Sequence, residues 1–193
     1  ASRKYSIETN TIQHGMPISR TGCIPTETDK IFCWGLGKDI IKYWGINNIA
    51  STNYLDEKYI EQHENDNKQF ILFTLHTNYF INQNIGSFIS HIAATYKEEK
   101  IIIRPHPGTG HIPKNVLDIT KYYDNVSLDK ESEIYNSIIR SKIVVTYFSS
   151  VIEDVILFNK KIIIINHTSI IYPKYFSDVA NIIFVDKPNE ISL

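Results

Sequence analysis

Three consecutive isoleucines followed by an Arg-Pro-His-Pro sequence constrain the fold of this chain more than any other feature. The stretch runs from Lys100 to His111 as KIIIRPHPGTGH. A short, unbroken β-branched run is typical of a strand buried on both faces, as in a parallel sheet. Each proline disfavours the helical region for the residue before it, so the chain stays extended past the isoleucines. With a period of two, Arg104 and His106 point to the same side, just beyond the carboxyl end of the strand.

An arginine and a histidine at this strand end predict an anion site. Ligands of open α/β sheets bind outside the carboxyl ends of the strands, and a phosphate suits a guanidinium beside an imidazole. Pro107, the next residue of the turn, joins Arg104 in the predicted substrate-binding set. The alternative is structural: Arg104 pairs with a surface carboxylate, and His106 packs into the turn.

Strands and helices alternate along the chain from residue 70 onward. Short apolar runs predict the strands, and apolar residues at helical spacing predict the helices. This alternation predicts an α/β fold with a Rossmann-like, doubly wound parallel sheet. The predicted strands are 9–13, 30–34, 48–50, 70–75, 100–104, 126–128, 142–147, 161–165 and 181–185, and the predicted helices are 38–44, 86–96, 131–140 and 150–158.

Composition and charge exclude several classes of protein. The 193 residues are 42% apolar and 21% charged, as in ordinary globular domains. A formal net charge of −1 gives no basic field for nucleic acid or an anionic membrane. Cys23 and Cys33 lie too far apart for a CxxC motif, and neither a metal site nor a cofactor is predicted. No apolar run approaches the roughly 18 residues of a membrane-spanning helix.

Two serines between a predicted strand and a predicted helix form the second candidate site. Ser149 and Ser150 follow the strand that ends at residue 147. Their hydroxyls, with the N–H groups at a helix start, suit a phosphate. The alternative is a helix cap, because Glu153 follows Ser150 at the S-x-x-E spacing of a capping box. A second use of Glu153 is to accept hydrogen bonds from the two hydroxyls of a ribose.

Two further polar sets follow predicted strands. His14 precedes Gly15 at the end of the first predicted strand, where an imidazole suits a general base toward a hydroxyl. Thr74 lies near the end of the predicted strand at 70–75, and His76 follows that strand. Both would line the same sheet edge as His106. The alternatives are a satisfied polar residue at a strand end and a loop of ordinary composition.

Five motifs, in this order, resemble the C-terminal half of GT-B glycosyltransferases. They are QHG, FCWG, TLHTN, RPHP and YFSSVIEDVILFNKKIIIIN, and the likeness covers roughly Thr11 to Val185. The chain is most similar to bacterial cell-surface polysaccharide enzymes. One group, of the CDP-glycerol glycerophosphotransferase and capsule-polymerase type, has an HG motif and an HP motif. Bacterial sialyltransferases pair an HP motif with a serine pair.

This resemblance implies a function and roles for the candidate residues. It implies a metal-independent glycosyltransferase, or a glycerophosphotransferase-like enzyme, that builds capsular polysaccharide or lipopolysaccharide. The implied partners are a CMP-, CDP- or UDP-linked donor and a saccharide acceptor. His106, Ser149 and Ser150 would then contact the donor phosphate. His14 would be the general base across a cleft, so that His14 and His106 form the predicted catalytic pair.

The resemblance also implies a division of the chain. Residues 1–56 would be the end of an N-terminal domain and its connection, and 57–193 would be a Rossmann-like nucleotide-sugar-binding domain. We expect part of a longer cytoplasmic enzyme, held at the inner face of the plasma membrane through a part that this chain lacks. The acidic base motif of the sialyltransferases is absent here, which leaves the identity of the donor open.

Two alternatives come from other classes of protein. TLHTN and RPHP also resemble the non-hydrolysing UDP-N-acetylglucosamine 2-epimerases, which predicts an epimerase-like enzyme. YFSS stands where those enzymes carry a DSGG phosphate loop, and this difference counts against epimerase activity. The other alternative is a non-catalytic nucleotide-binding module that keeps the motifs at the strand ends and lacks a competent base.

Overall fold

A computed structural model of the chain describes residues 8–12, 28–33, 47, 49–51, 69–76, 79–108, 112–147, 149–166 and 181–193. The chain divides into two compact units, Ala1–Gln62 and His63–Leu193. In the described ranges, every helix is too short or too polar to cross a membrane.

The first unit contains a small parallel sheet of three strands. They are β1 (Asn10–Ile12), β2 (Lys30–Cys33) and β3 (Ile49–Ser51), paired in that order. Ile31 and Cys33 alternate along β2 and are both buried, as expected for residues that share one face of a strand. All three predicted strands are confirmed. The predicted helix at 38–44 and the candidate base His14 lie outside the described residues.

The second unit is built on a six-stranded sheet in which every pair of neighbouring strands is parallel. The order across this sheet is β6-β5-β4-β7-β8-β9. Numbered from its own first strand, the sheet reads 3-2-1-4-5-6, the order of doubly wound dinucleotide-binding folds. Its elements are β4 (Phe70–Thr74), α1 (Tyr79–Thr95), β5 (Ile101–Arg104), α2 (Lys114–Tyr122), β6 (Val126–Leu128), α3 (Ile134–Arg140), β7 (Ser141–Thr146), α4 (Val151–Leu157), β8 (Lys161–Ile165), β9 (Ile182–Val185) and a 3₁₀ turn at Pro188–Glu190.

The central strands are buried on both faces, as the isoleucine run predicts. Every residue of β4 is buried, and so are Ile101, Ile102 and Ile103 of β5. One face packs with the buried sides of α1 and α2 into a single apolar cluster, while α3 contacts β4, β7 and α4. Burial on both faces explains why these strands are continuous apolar runs and do not alternate with polar residues.

Two helices differ from their predicted extents. Helix α1 begins at Tyr79, well before the predicted start at residue 86, and α2 was not predicted at all. Helix α2 has only nine residues and buries Val116 and Ile119, and a segment this short is below the length over which helical periodicity can be judged. Gly86 explains the packing of α2 on α1, because a Cβ there would lie 2.8 Å from the Asn115 side chain. The predicted starts of α3 and α4 are early by three residues and one residue, within the usual uncertainty of helix ends predicted from a sequence.

One carboxyl group, on α4 and near α3, is buried enough to disfavour its charged form. Asp154, in α4, is partly buried, and that burial raises its pKa to about 7. Tyr135, in α3, lies near this carboxylate. Burial and, to a smaller extent, the negative charge of Asp154 raise the pKa of Tyr135 to about 12. Because the ionised carboxylate is disfavoured in the folded chain, the fold binds more protons than the unfolded chain between about pH 4 and pH 7.

We expect Asp154→Asn to stabilise the protein above pH 7. A raised pKa stabilises the fold at low pH, and this contribution is lost as the pH rises through about 7. At 1.36 kcal/mol per pKa unit, the gain at pH 8 should be about 2–4 kcal/mol and should vanish near pH 4. Urea denaturation at several pH values measures it, with the exposed Asp124→Asn as the matched control. An equal effect of Asp154→Asn at pH 4 and pH 8 would contradict this account.

Candidate functional site

The sheet places most of the candidate residues at one edge. β4 and β7 are neighbours in the sheet, although five elements lie between them along the chain: α1, β5, α2, β6 and α3. β5 and β6 lie on one side of this pair and β8 and β9 on the other, so the chain crosses from one half of the sheet to the other in the connection from β6 to β7. At such a switch point the connections leave toward opposite faces and open a crevice at the carboxyl ends. Candidate residues end or follow three adjacent strands here: β5, β4 and β7.

A buried pair of threonines joins the two strands at the switch point. Thr74 ends β4 and Thr146 ends β7, and the Thr74 hydroxyl donates to the Thr146 hydroxyl at 2.6 Å. Both side chains are buried. Thr74 was predicted to bind substrate, and the structure shows that its hydroxyl bonds the neighbouring strand. The hydrogen bond links the carboxyl ends of the two strands at the switch point.

An asparagine of α1 fixes the backbone of His76, two residues after β4. The buried Asn82 accepts a hydrogen bond from the His76 N–H at 2.8 Å and donates to the His76 carbonyl at 2.6 Å. This two-bond arrangement satisfies both backbone groups of His76, as a neighbouring strand would. Sequence reasoning missed Asn82, because an asparagine inside a helix carries no pattern that reveals its partner.

His106 lies in the turn beyond β5 with its ring held from one side. The backbone N–H of Gly108 donates to His106 Nδ1 at 3.0 Å. The ring is partly buried, and this burial lowers its pKa below the usual value. A neutral imidazole with an accepting Nδ1 carries its proton on Nε2. His106 is therefore a hydrogen-bond donor through Nε2 near neutral pH. Pro107, between the two residues, is exposed.

Arg104 takes the structural role that the sequence left open as an alternative. Its guanidinium pairs with Asp129 at 2.7 Å and also donates to the carbonyls of Glu131 and Ser132. The side chains of Arg104 and Asp129 are 14% and 5% exposed, so solvent screens the pair little. The pair joins the end of β5 to the loop after β6.

The carboxylate of this pair stays charged. The Ser137 hydroxyl donates to Asp129 at 2.5 Å. Burial raises the pKa of Asp129, but hydrogen bonds from Ser137, Arg104 and a backbone N–H outweigh it, so the pKa lies below its ordinary value. Arg104 therefore faces a full counter-charge, and its predicted substrate contact would have to compete with it.

The predicted capping box at α4 is wrong. Ser150 is exposed and makes no capping hydrogen bond with its side chain. The Ser149 hydroxyl instead accepts a long hydrogen bond from the Val151 N–H at 3.4 Å. Ser150 has helical backbone angles, and a capping side chain needs the extended conformation. Glu153 is buried in the first turn of α4.

The structure thus brings most predicted site residues to one edge and leaves others apart. His106, His76, Thr74, the two serines and Glu153 belong to the ends of three adjacent strands. Arg104 is engaged in an internal ion pair. Within the described residues, no cluster of three His, Cys, Asp or Glu side chains could hold a metal ion.

Solved structures with this fold are similar to the chain at low sequence identity. UDP-GlcNAc 2-epimerase from Methanocaldococcus jannaschii, in complex with UDP-GlcNAc and UDP, is 16% identical with a TM-score of 0.63. That match covers 98% of this chain and 61% of the epimerase. The Neisseria meningitidis UDP-GlcNAc 2-epimerase bound to UDP-GlcNAc is 18% identical, with a TM-score of 0.60, over 86% of this chain and 55% of that protein.

A polymerase shares the fold as well. The wall teichoic acid polymerase TagF is 14% identical with a TM-score of 0.53, over 95% of this chain and 55% of the polymerase. The chain thus spans 55 to 61% of the length of these three proteins. No family model and no curated protein sequence matches it. These likenesses confirm the predicted fold class, a Rossmann-like α/β sheet as in GT-B proteins.

We expect Asn82→Ala to loosen the loop at His76. The change leaves a partly buried N–H and a partly buried carbonyl without their partner, which costs about 1–3 kcal/mol of stability for unsatisfied groups. Thermal or urea unfolding measures the loss, and the exchange rate of the His76 amide hydrogen should rise. Ser87→Ala, on the exposed side of the same helix, is the control. Unchanged protection of the His76 amide would contradict the role assigned to Asn82.

Proposed function

We propose that the chain is the donor-binding part of a GT-B type glycosyltransferase that builds a cell-surface polysaccharide. One observation supports this most: hydroxyl and imidazole groups lie at the ends of three adjacent parallel strands around the switch point. That crevice is where sheets of this order take nucleotides. The site offers neutral hydrogen-bond donors, which suit the phosphates of an activated sugar or polyol.

Proteins with the same fold support a nucleotide-linked donor. Two of the three solved structures hold UDP-GlcNAc, and the third is a polymerase of wall teichoic acid. We propose a UDP-, CDP- or CMP-linked donor and a saccharide acceptor. His106 would donate to the departing phosphate through Nε2, and the serine pair would add hydroxyl donors. Glu153 is proposed to bind the ribose, and His14 to act as the general base.

Such a transfer stabilises charge on the leaving phosphate as the sugar bond breaks. Fixed donors that are already oriented do this without reorganisation during the reaction. The Gly108 N–H orients His106. The two hydrogen bonds from Asn82, which we call the clamp, orient the His76 backbone. We propose that these groups act without a metal ion, in a cytoplasmic enzyme at the inner face of the plasma membrane.

A sugar-nucleotide epimerase is the second candidate. The two epimerases have higher TM-scores, 0.63 and 0.60, than the polymerase at 0.53. The sequence YFSS in place of DSGG argues against this activity. Incubation of the full-length protein with UDP-GlcNAc separates the candidates: an interconverted sugar nucleotide means an epimerase, and a glycoside with released nucleotide means a transferase.

We expect His106→Ala to weaken nucleotide binding by about 1–3 kcal/mol, the scale of a hydrogen bond to a charged group. Calorimetric titration with UDP, CDP, CMP and GDP measures the affinity and also identifies the preferred base. His91→Ala, on α1 away from the strand ends, is the control for loss of an imidazole. If His106→Ala binds the preferred nucleotide as tightly as the parent, His106 has no phosphate contact.

Transfer by the full-length enzyme should continue after chelation of divalent ions. Hydrogen-bond donors, and not a metal ion, are proposed to stabilise the departing phosphate. Initial rates of nucleotide release with and without EDTA test this. Loss of activity in EDTA, with recovery on addition of magnesium or manganese, would show that a metal takes part.

A further inference from the structure

The geometry points to Gly108 as a positioning residue for His106: its N–H selects the ring tautomer that presents Nε2–H to a phosphate oxygen of the donor. This inference rests on the proposed function and adds a residue and a protonation state to it. The contact behind it is the 3.0 Å hydrogen bond from Gly108 N to His106 Nδ1. A backbone amide always donates, so the nitrogen facing it must accept.

The same contact disfavours both other forms of the ring. The tautomer with its proton on Nδ1 would point an N–H at the Gly108 N–H, and so would the imidazolium ion. Either form would lose the hydrogen bond and place two donors face to face. The ring is therefore held neutral, with Nε2 as the donor. Partial burial of His106 acts in the same direction.

A side chain at position 108 would also press on the His106 ring. A Cβ there would lie 3.3 Å from His106 Nδ1 and 3.4 Å from Cε1. Contacts this short would displace the ring by a few tenths of an ångström and stretch the hydrogen bond. Pro105 and Pro107 restrict the backbone on either side of His106, so the turn has little freedom to absorb the displacement.

A neutral donor recognises a phosphate differently from a cation. It contributes a directional hydrogen bond and leaves the charge of the phosphate for other groups to balance. We therefore expect the location of the donor atom to decide whether a replacement works. Glutamine places its amide nitrogen near the position of Nε2, whereas asparagine places its own near Nδ1, where Gly108 needs an acceptor.

The tautomer can be observed directly. Proton–nitrogen correlation spectra of the uniformly ¹⁵N-labelled chain at pH 7.5 show which ring nitrogen carries the proton, and His106→Gln assigns the signals. We expect the Nε2-protonated form for His106 in the parent, and a mixture of tautomers in Gly108→Pro, which removes the N–H. A parent ring protonated on Nδ1, or an unchanged tautomer in Gly108→Pro, would overturn the inference.

The effect on the ligand is measured with UDP, or with the nucleotide preferred in the panel described above. We expect Gly108→Ala to bind about tenfold more weakly than the parent, a 1.4 kcal/mol change. His106→Gln should bind about tenfold more tightly than His106→Asn. His91→Gln is the control. Equal binding by the two His106 variants would overturn the Nε2 contact, as would full affinity in Gly108→Ala.

These outcomes separate the inference from the proposed function. If the parent binds a nucleotide but its His106 carries the proton on Nδ1, the function stands and the role of Gly108 is lost. If the parent has the Nε2-protonated ring and binds none of the nucleotides, the proposed function fails, and with it the phosphate contact. Melting temperatures of all variants, compared with the parent, show whether a loss of binding comes from unfolding.

Discussion

The pairing of β4 with β7 is the constraint on which the second unit depends. Along the chain these are the first and the fourth strands of their sheet, but in space they are neighbours. β5 and β6 lie on one side of the pair, and β8 and β9 lie on the other. The registers Ile71 to Ile143 and Phe73 to Val145 align two buried apolar runs. Strand order, the two helical layers and the location of the crevice all follow from this pairing. The buried threonine bond between the two strand ends secures it on the side where a ligand would bind.

Polar residues near this edge divide into two groups by what their atoms contact. The first group forms hydrogen bonds within the protein. Arg104 pairs with Asp129, Asn82 bonds the His76 backbone, and the two threonines bond each other. A buried polar group costs free energy unless it is paired, so these contacts maintain the shape of the edge. His106 accepts a hydrogen bond at Nδ1 from the Gly108 N–H, and its Nε2 is the atom that we propose as the donor to a ligand.

Much of the fold could be predicted from the sequence, because strands buried on both faces are continuous apolar runs. The predicted strand at 161–165 and that at 126–128 match the structure residue for residue. Helix α2 could not be predicted, since its nine residues are too few for helical periodicity to be judged. The order of the strands could not be predicted either, because the apolar runs are alike and no residue in them indicates which strand pairs with which.

The candidate site was predicted in outline and missed in its hydrogen bonds. Proline restriction and strand ends placed His106 and the serines at a sheet edge. The role of Arg104 depended on Asp129, which follows a different strand, and no local pattern connects the two. The capping box failed for a similar reason: its S-x-x-E spacing is present, but Ser150 has a backbone conformation that prevents the side-chain bond.

The clamp on His76 affects the time scale of recognition. The His76 backbone is held by two hydrogen bonds to a buried asparagine in the chain without a ligand, so its conformational entropy is lost during folding and not during binding. A ligand that contacts the His76 backbone would then associate without a rearrangement of that residue. Differences in affinity among ligands would then arise mainly from their dissociation rates.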